Sequence, residues 1–132
     1  MAEHRVSHPP LAIALVIEDE PLFRLDLTAQ LEERGYEVLE GSSARDALRY
    51  LEDGAKVALL VTDVRMPGDM DGIALAHEVA RRWPATGIVL VSAAAPPGPD
   101  DLPGNAVFLG KPVTPAQLGE VASRWQREPY VP

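Results

Sequence analysis

Cysteine is missing from the 132 residues of this chain. Disulfide bridges, thiolate metal sites and cysteine nucleophiles are excluded with it. Long apolar runs are missing as well. The longest, Leu11 to Ile17, falls far short of the ~20 residues a membrane-spanning helix needs. It has no signal-peptide layout around it, so no membrane anchorage is expected. Basic residues are a minority of 12 against 20 acidic ones, a formal charge of −8. That balance argues against binding nucleic acid through its phosphates. Lysine is scarcest of all, with two against ten arginines. What is present is 46% hydrophobic and 24% charged, a mix that excludes disorder as the main state. The length suits one domain and leaves no room for a second of ordinary size. A small, acidic, cytoplasmic domain is expected. The question is whether its acids are dispersed or gathered into a site.

Residues 1–10 (MAEHRVSHPP) are polar, end in two prolines and read as a flexible lead-in; residues 128–132 read as a short tail. Between them, 11–127 form the domain. Leu11 to Ile17 runs without a polar break, as do Val57 to Val61, Ile88 to Val91 and Ala106 to Leu109, with a weaker run at Tyr36 to Leu39. Short unbroken apolar runs suit strands buried on both faces. Helical patterns lie between them. Pro21 to Arg34 places Leu22, Leu25 and Leu31, with Leu27, towards one side, and Gly35 stops it. Ser43 can cap a helix bearing Ala44, Ala47, Leu48 and Leu51, with Gly54 past its end. Asp71 can cap another bearing Leu75, Ala76, Val79 and Trp83 before Pro84. Thr114, Pro115 and Gln117 open the last helix with a cap, a first-position proline and a capping-box glutamine. Its apolar face is Leu118, Val121, Ala122 and Trp125.

Strand and helix therefore alternate, the signature of a parallel sheet with helices on both faces. One stretch breaks the rhythm. Ala95 to Gly104 holds four prolines and two glycines where a fourth helix should be, so a loop with at most one helical turn is expected there. His4, His8 and His77 show no metal-ligand grouping and read as solvated.

In such a sheet ligands bind beyond the carboxyl ends of the strands. Those ends deliver Glu18, Asp19 and Glu20, then Asp63, then Ser92, then Lys111 before Pro112. Crowded carboxylates repel. A hard divalent cation relieves that repulsion, and Mg2+ takes one or two carboxylates together with waters and phosphate oxygens. A hydroxyl and an ammonium can hold an anion, and a carboxylate can itself be a nucleophile that forms an acyl phosphate. Singly, each residue has an ordinary explanation. Asp19 could cap a helix or sit in a solvated loop, Asp63 could cap a turn, Ser92 could be a plain loop serine, and Glu20 suits a helix's first turn. Asp19, Asp63, Ser92 and Lys111 together, at successive strand ends, are not explained that way.

Val16-Ile-Glu-Asp-Glu20, Leu60-Val-Thr-Asp-Val-Arg-Met-Pro67 followed by Met70-Asp-Gly72, Val91-Ser-Ala93 and Phe108-Leu-Gly-Lys-Pro112 resemble the receiver domains of two-component response regulators, the CheY-like superfamily. The resemblance covers about residues 11 to 127. It implies a flavodoxin-like, doubly wound (βα)5 fold with strand order 2-1-3-4-5, the fourth helix replaced by a loop or a single turn. Asp63 is then the phosphoacceptor. Glu18 and Asp19 are the acidic pair for Mg2+, with Asp19 the more direct ligand, and the backbone carbonyl of Arg65 is a further ligand. Ser92 supplies the hydroxyl that moves onto the phosphoryl group, Lys111 pairs with it, and Lys111-Pro112 is cis, a bond cheap only before proline. Phe108 is the aromatic switch residue. The loop from Met66 to Gly72 is one residue longer than the common form. That, the Pro-rich segment and Arg82-Trp83-Pro84 resemble a single-domain receiver subgroup from alphaproteobacteria.

The implied function is a stand-alone response regulator: a phosphoacceptor signalling protein that assists its own phosphorylation and dephosphorylation, rather than an enzyme. Its partners would be a sensor histidine kinase, by subgroup similarity of the HWE/HisKA2 type, and a downstream protein target or phosphotransfer protein, with a homodimer also open. Arg65 is expected to cover the phosphoryl group in part and alter water access. Two rivals are weighed. An aspartate-nucleophile phosphatase needs a second acid two residues beyond the nucleophile, where this chain has Arg65. A phosphorylation-independent interaction module would not need the full set of acceptor, acidic pair, hydroxyl and lysine.

Overall fold

The computed structural model describes residues 11–94 and 96–125. The expected lead-in, the tail, His4 and His8 lie outside them. The elements are β1 (Ile13–Ile17), α1 (Pro21–Glu33), β2 (Glu37–Gly41), α2 (Ala44–Glu52), β3 (Val57–Asp63), α3 (Gly72–Arg82), β4 (Gly87–Ser92), β5 (Val107–Gly110) and α4 (Pro115–Trp125). The five strands form one sheet in the order β2-β1-β3-β4-β5, parallel throughout. The alternation read from the sequence thus becomes the doubly wound fold it implied.

Successive residues of a strand face opposite sides of a sheet, and this explains the unbroken apolar runs. Ala14, Val16, Leu59, Val61, Val89 and Val91 meet Leu27 and Leu31 of α1 and Leu118, Val121 and Ala122 of α4 on one face. Leu15, Ile17, Leu60, Ile88 and Leu90 meet Ala44, Ala47 and Leu51 of α2 and Leu75, Ala76 and Val79 of α3 on the other. Helix starts are fixed by local caps. The Ser43 hydroxyl accepts from the Asp46 N–H at 3.2 Å, and Asp71 accepts from the Ala74 N–H at 2.9 Å. Thr114 and Gln117 bond each other reciprocally, the Gln117 N–H to the Thr114 hydroxyl at 3.1 Å and the Thr114 N–H to the Gln117 amide oxygen at 3.0 Å. No helix among the described residues is long and apolar enough to cross a membrane.

Two expectations need correction. Leu22 and Leu25 do not join the core: they are 75% and 61% exposed. The inward face of α1 is Leu27, Thr28 and Leu31, one helical stripe over from the one the leucines suggested. The first strand begins at Ile13, and Leu11 is 60% exposed. The Pro-rich segment does lack its helix. It makes only a 3-10 turn at Pro99–Asp101, where the Asp101 carboxylate accepts from the Gly98 N–H at 3.0 Å. Leu102 from this segment and Ala106 just after it pack onto the α2 and α3 side of the core. His77 is exposed and meets the Asp101 carbonyl at 2.8 Å through Nε2. Trp125 packs over Gly87, so both tryptophans serve packing, Trp83 against the opposite face.

Candidate functional site

β1 lies between β2 and β3, so strand order reverses beside it, and in an open sheet this is where ligands bind. Parallel pairing sets Ile17 of β1 against Thr62 of β3, so the next residues, Glu18 and Asp63, emerge side by side. Asp63 pairs with Val91, and Ser92 with Gly110, which brings Ser92 and Lys111 to the same edge. The Lys111 N–H donates to the Ser92 carbonyl at 2.8 Å, and the Glu18 N–H to the Gly41 carbonyl at 3.0 Å. The Lys111–Pro112 peptide is cis.

Glu18, Asp19 and Asp63 each offer a carboxylate oxygen, all within 4.8 Å of one another. Glu18 and Asp63 are buried and Asp19 is exposed. The Lys111 ammonium lies among them, 2.8 Å from Asp63 Oδ2 and 3.1 Å from Glu18 Oε1. Asp63 Oδ1 accepts from the Arg65 N–H at 3.1 Å, and Glu18 Oε2 from the Glu20 N–H at 2.9 Å. Glu18 Oε1 has no aligned hydrogen-bond donor among the described residues, but it forms an ion pair with the Lys111 ammonium at 3.1 Å. A buried carboxylate oxygen without an aligned donor, facing two more carboxylates, suits a hard cation with oxygen ligands.

Burial raises the Glu18 carboxyl from 4.5 to about 7, with Asp63 adding to the rise while the Glu20 N–H and Lys111 work against it. Burial pulls the Lys111 ammonium down, but the Asp63 and Glu18 carboxylates more than offset this and hold it above its ordinary value. Lys111 therefore stays charged at neutral pH. It is the principal counter-charge in the cluster.

The remaining expected residues are spread around this centre. Ser92 is buried at the end of β4, its hydroxyl accepting from the Ala94 N–H at 3.0 Å. Arg65 engages Asp63 through its backbone N–H while its side chain is exposed. Phe108, half-buried, pairs in register with Leu90 and packs on the α2 and α3 side of the core. Sequence reasoning missed the parts played by Arg24, Phe23 and Gly72, and placed Glu20 in the first helical turn where it is instead the cap. Glu20 caps α1, its carboxylate accepting from the Phe23 N–H at 2.7 Å. Arg24 donates to the Glu18 carbonyl at 2.8 Å and to Glu40 at 3.1 Å, bracing the turn that carries the acids. Phe23 presents its ring to the Lys111 ammonium, 4.4 Å from the centroid. Gly72 lets α3 close onto β3, because a Cβ there would collide with the Asp63 carbonyl. For Gly72 a signal existed, a glycine directly after the capping Asp71. For Phe23 none did beyond there being only two phenylalanines.

Comparison with known proteins gives a consistent answer. Residues 14–122 match the response regulator receiver domain family. The sensor kinase CckA of Brucella abortus is 37% identical over 111 residues, which are 81% of this chain; the match spans only 12% of that kinase. Among solved structures, a response regulator receiver protein from Sinorhizobium medicae superposes with a TM-score of 0.81 at 30% identity, covering 86% of this chain and 93% of that one. The receiver domain of the Pseudomonas aeruginosa sensor histidine kinase PA1611, with a magnesium ion coordinated in its active-site cleft, gives 0.73 at 25% identity, covering 86% and 96%.

Proposed function

The chain belongs to the response regulator receiver domain family of two-component signalling, and from that premise we propose that Asp63 accepts a phosphoryl group from a sensor histidine kinase. Signal output, on this reading, passes to a separate target or phosphotransfer protein, and the subgroup features favour a kinase of the HWE/HisKA2 type. The observation that carries the proposal is the convergence of Glu18, Asp19, Asp63 and Lys111 at the switch point, with Lys111 bridging both buried carboxylates.

The carboxylate of Asp63 attacks phosphorus in line with the leaving imidazole of the donor. The P–N bond breaks, a P–O bond forms, and the electron pair leaves with the histidine. The Arg65 N–H on Oδ1 and the Lys111 ammonium on Oδ2 hold the carboxylate still while it reacts. Lys111 then offsets charge on the transferred group, and Ser92 offers a hydroxyl from the neighbouring strand. Glu18, Asp19, Asp63 and the Arg65 carbonyl are the groups that would hold Mg2+, which when bound supplies charge neutralisation to the phosphoryl oxygens. Bonding of the Ser92 hydroxyl and repacking of Phe108 would bias the segment between them, a population shift within one fold.

Incubation with acetyl phosphate and Mg2+ should add one phosphoryl mass that Asp63→Asn and EDTA each remove. No adduct from acetyl phosphate or a cognate kinase would overturn the reading.

A further inference from the structure

We propose that Phe23 is the positioning residue for Lys111: its ring face, 4.4 Å from the ammonium, keeps that charge at the phosphoryl site through the whole reaction. The inference rests on Asp63 being the phosphoacceptor. Lysine is a point charge on a flexible four-carbon stem, and Lys111 leaves the sheet directly after β5. Among the described residues its charged partners are the carboxylates of Asp63 and Glu18. Both change during the proposed reaction. Asp63 becomes an acyl phosphate and loses its carboxylate charge, and Glu18 is committed to a cation or a proton. The ring changes in neither step. Its negative face attracts an ammonium whatever the carboxylates carry, and it neither titrates nor accepts phosphoryl.

Phe23 is itself held in place. Its N–H is capped by Glu20 at 2.7 Å, the neighbouring Arg24 ties α1 to the Glu18 carbonyl at 2.8 Å, and its side chain packs on the core cluster containing Leu27 and Val113. The first turn of α1 thus sets both the acidic turn and the lysine's resting place. An aliphatic side chain of similar size would fill the same space without the quadrupole, so the proposal concerns the ring and not the volume.

The test compares wild type, Phe23→Leu and Phe23→Tyr, each also with Lys111→Ala, by the initial rate of phosphorylation from acetyl phosphate at saturating Mg2+. Phe23→Leu should slow the reaction about three- to tenfold, a loss of the size a cation–π contact carries, and Phe23→Tyr should stay near the wild-type rate. With Lys111→Ala present, Phe23→Leu should add nothing further. A second readout needs neither metal nor phosphoryl donor. The Lys111 ε-methylene protons should resonate upfield under the ring in wild type and Phe23→Tyr, and return to the ordinary lysine position in Phe23→Leu. An unchanged rate in Phe23→Leu, an equal loss in the Lys111→Ala background, or an ordinary ε-methylene shift in wild type would each overturn the proposal while leaving the phosphoacceptor reading intact. A wild-type protein that takes no phosphoryl group would overturn both.

Discussion

Replacing Glu18 by glutamine should make the metal-free protein more stable above neutral pH while weakening its hold on divalent cations. The carboxyl is raised from 4.5 to about 7, chiefly by burial, and the side chain is 1% exposed, so solvent screens it little. Between those two values the folded chain binds more protons than the unfolded one. Stability from this group is therefore fully present below the unfolded value of 4.5 and is lost as pH rises through about 7. At ~1.4 kcal/mol per pH unit, wild type should lose about 2–3 kcal/mol between pH 5 and pH 8 through Glu18. Glutamine resembles the protonated acid and cannot ionise. Urea unfolding in EDTA should find the two proteins about equal at pH 4 and the variant more stable by about 3 kcal/mol at pH 8. On the proposed function Mg2+ is held by the folded form, so it should stabilise wild type by mass action, more at pH 8 than at pH 5 because proton and cation compete for Glu18. Parallel pH profiles for the two proteins in EDTA would refute the assignment of a raised carboxyl to this site.

Gly72→Ala should cost about 1–3 kcal/mol by thermal or urea unfolding, since the added methyl meets the Asp63 carbonyl; a neutral effect would mean that α3 can draw back freely. Leu27→Ala should cost about 2–5 kcal/mol, whereas Leu25→Ala, on the exposed face of the same helix, should stay within roughly 0.5 kcal/mol. Arg65→Ala should speed hydrolysis of the acyl phosphate, followed by loss of the phosphoryl mass after donor removal, and an unchanged rate removes its covering role. Hydrogen exchange across residues 93 to 107, with and without a phosphoryl mimic, should show added protection in the mimic-bound state; equal protection in both would exclude this segment from the switch.

The fold was legible because each of its parts has a local cause. Short unbroken runs such as Ile88 to Val91 suit strands buried on both sides, and Ser43, Asp71 and Thr114 cap their helices through bonds three residues away. Four prolines between Pro96 and Pro103 leave room for little more than the observed turn. The carboxyl ends of the strands then carry Glu18, Asp63, Ser92 and Lys111 to one edge by topology alone. Misreading began where the cause was tertiary. In α1, apolar residues occur on more than one side, and helical spacing groups Leu22 with Leu25 as readily as Leu27 with Leu31; only packing against α4 and the sheet selects the second pair. The contact of Phe23 with Lys111 joins the first helix to the end of the last strand, and no spacing rule reaches that far.

The same dependence on tertiary placement accounts for the charge of the site. Three carboxylates within 4.8 Å of one another face one lysine, so full ionisation would leave an excess of negative charge in a mostly buried cleft. The fold meets this at neutral pH with two devices, the Lys111 ammonium and partial protonation of Glu18. They are not equivalent. A proton on Glu18 can be exchanged for a divalent cation, whereas Lys111 is fixed by β5, by the two buried acids and by the Phe23 ring. An incoming phosphoryl group adds negative charge of its own, and a site neutralised only by a proton on Glu18 has nothing to offer it. Exchanging that proton for a divalent cation would add one positive charge and bring three carboxylates and one ammonium to net neutrality, so an incoming anion would meet no net negative charge. Lys111 keeps its own positive charge aimed at Asp63. The buried acid that weakens the fold above neutral pH is, on the proposed function, the group that readies the site to accept an anion.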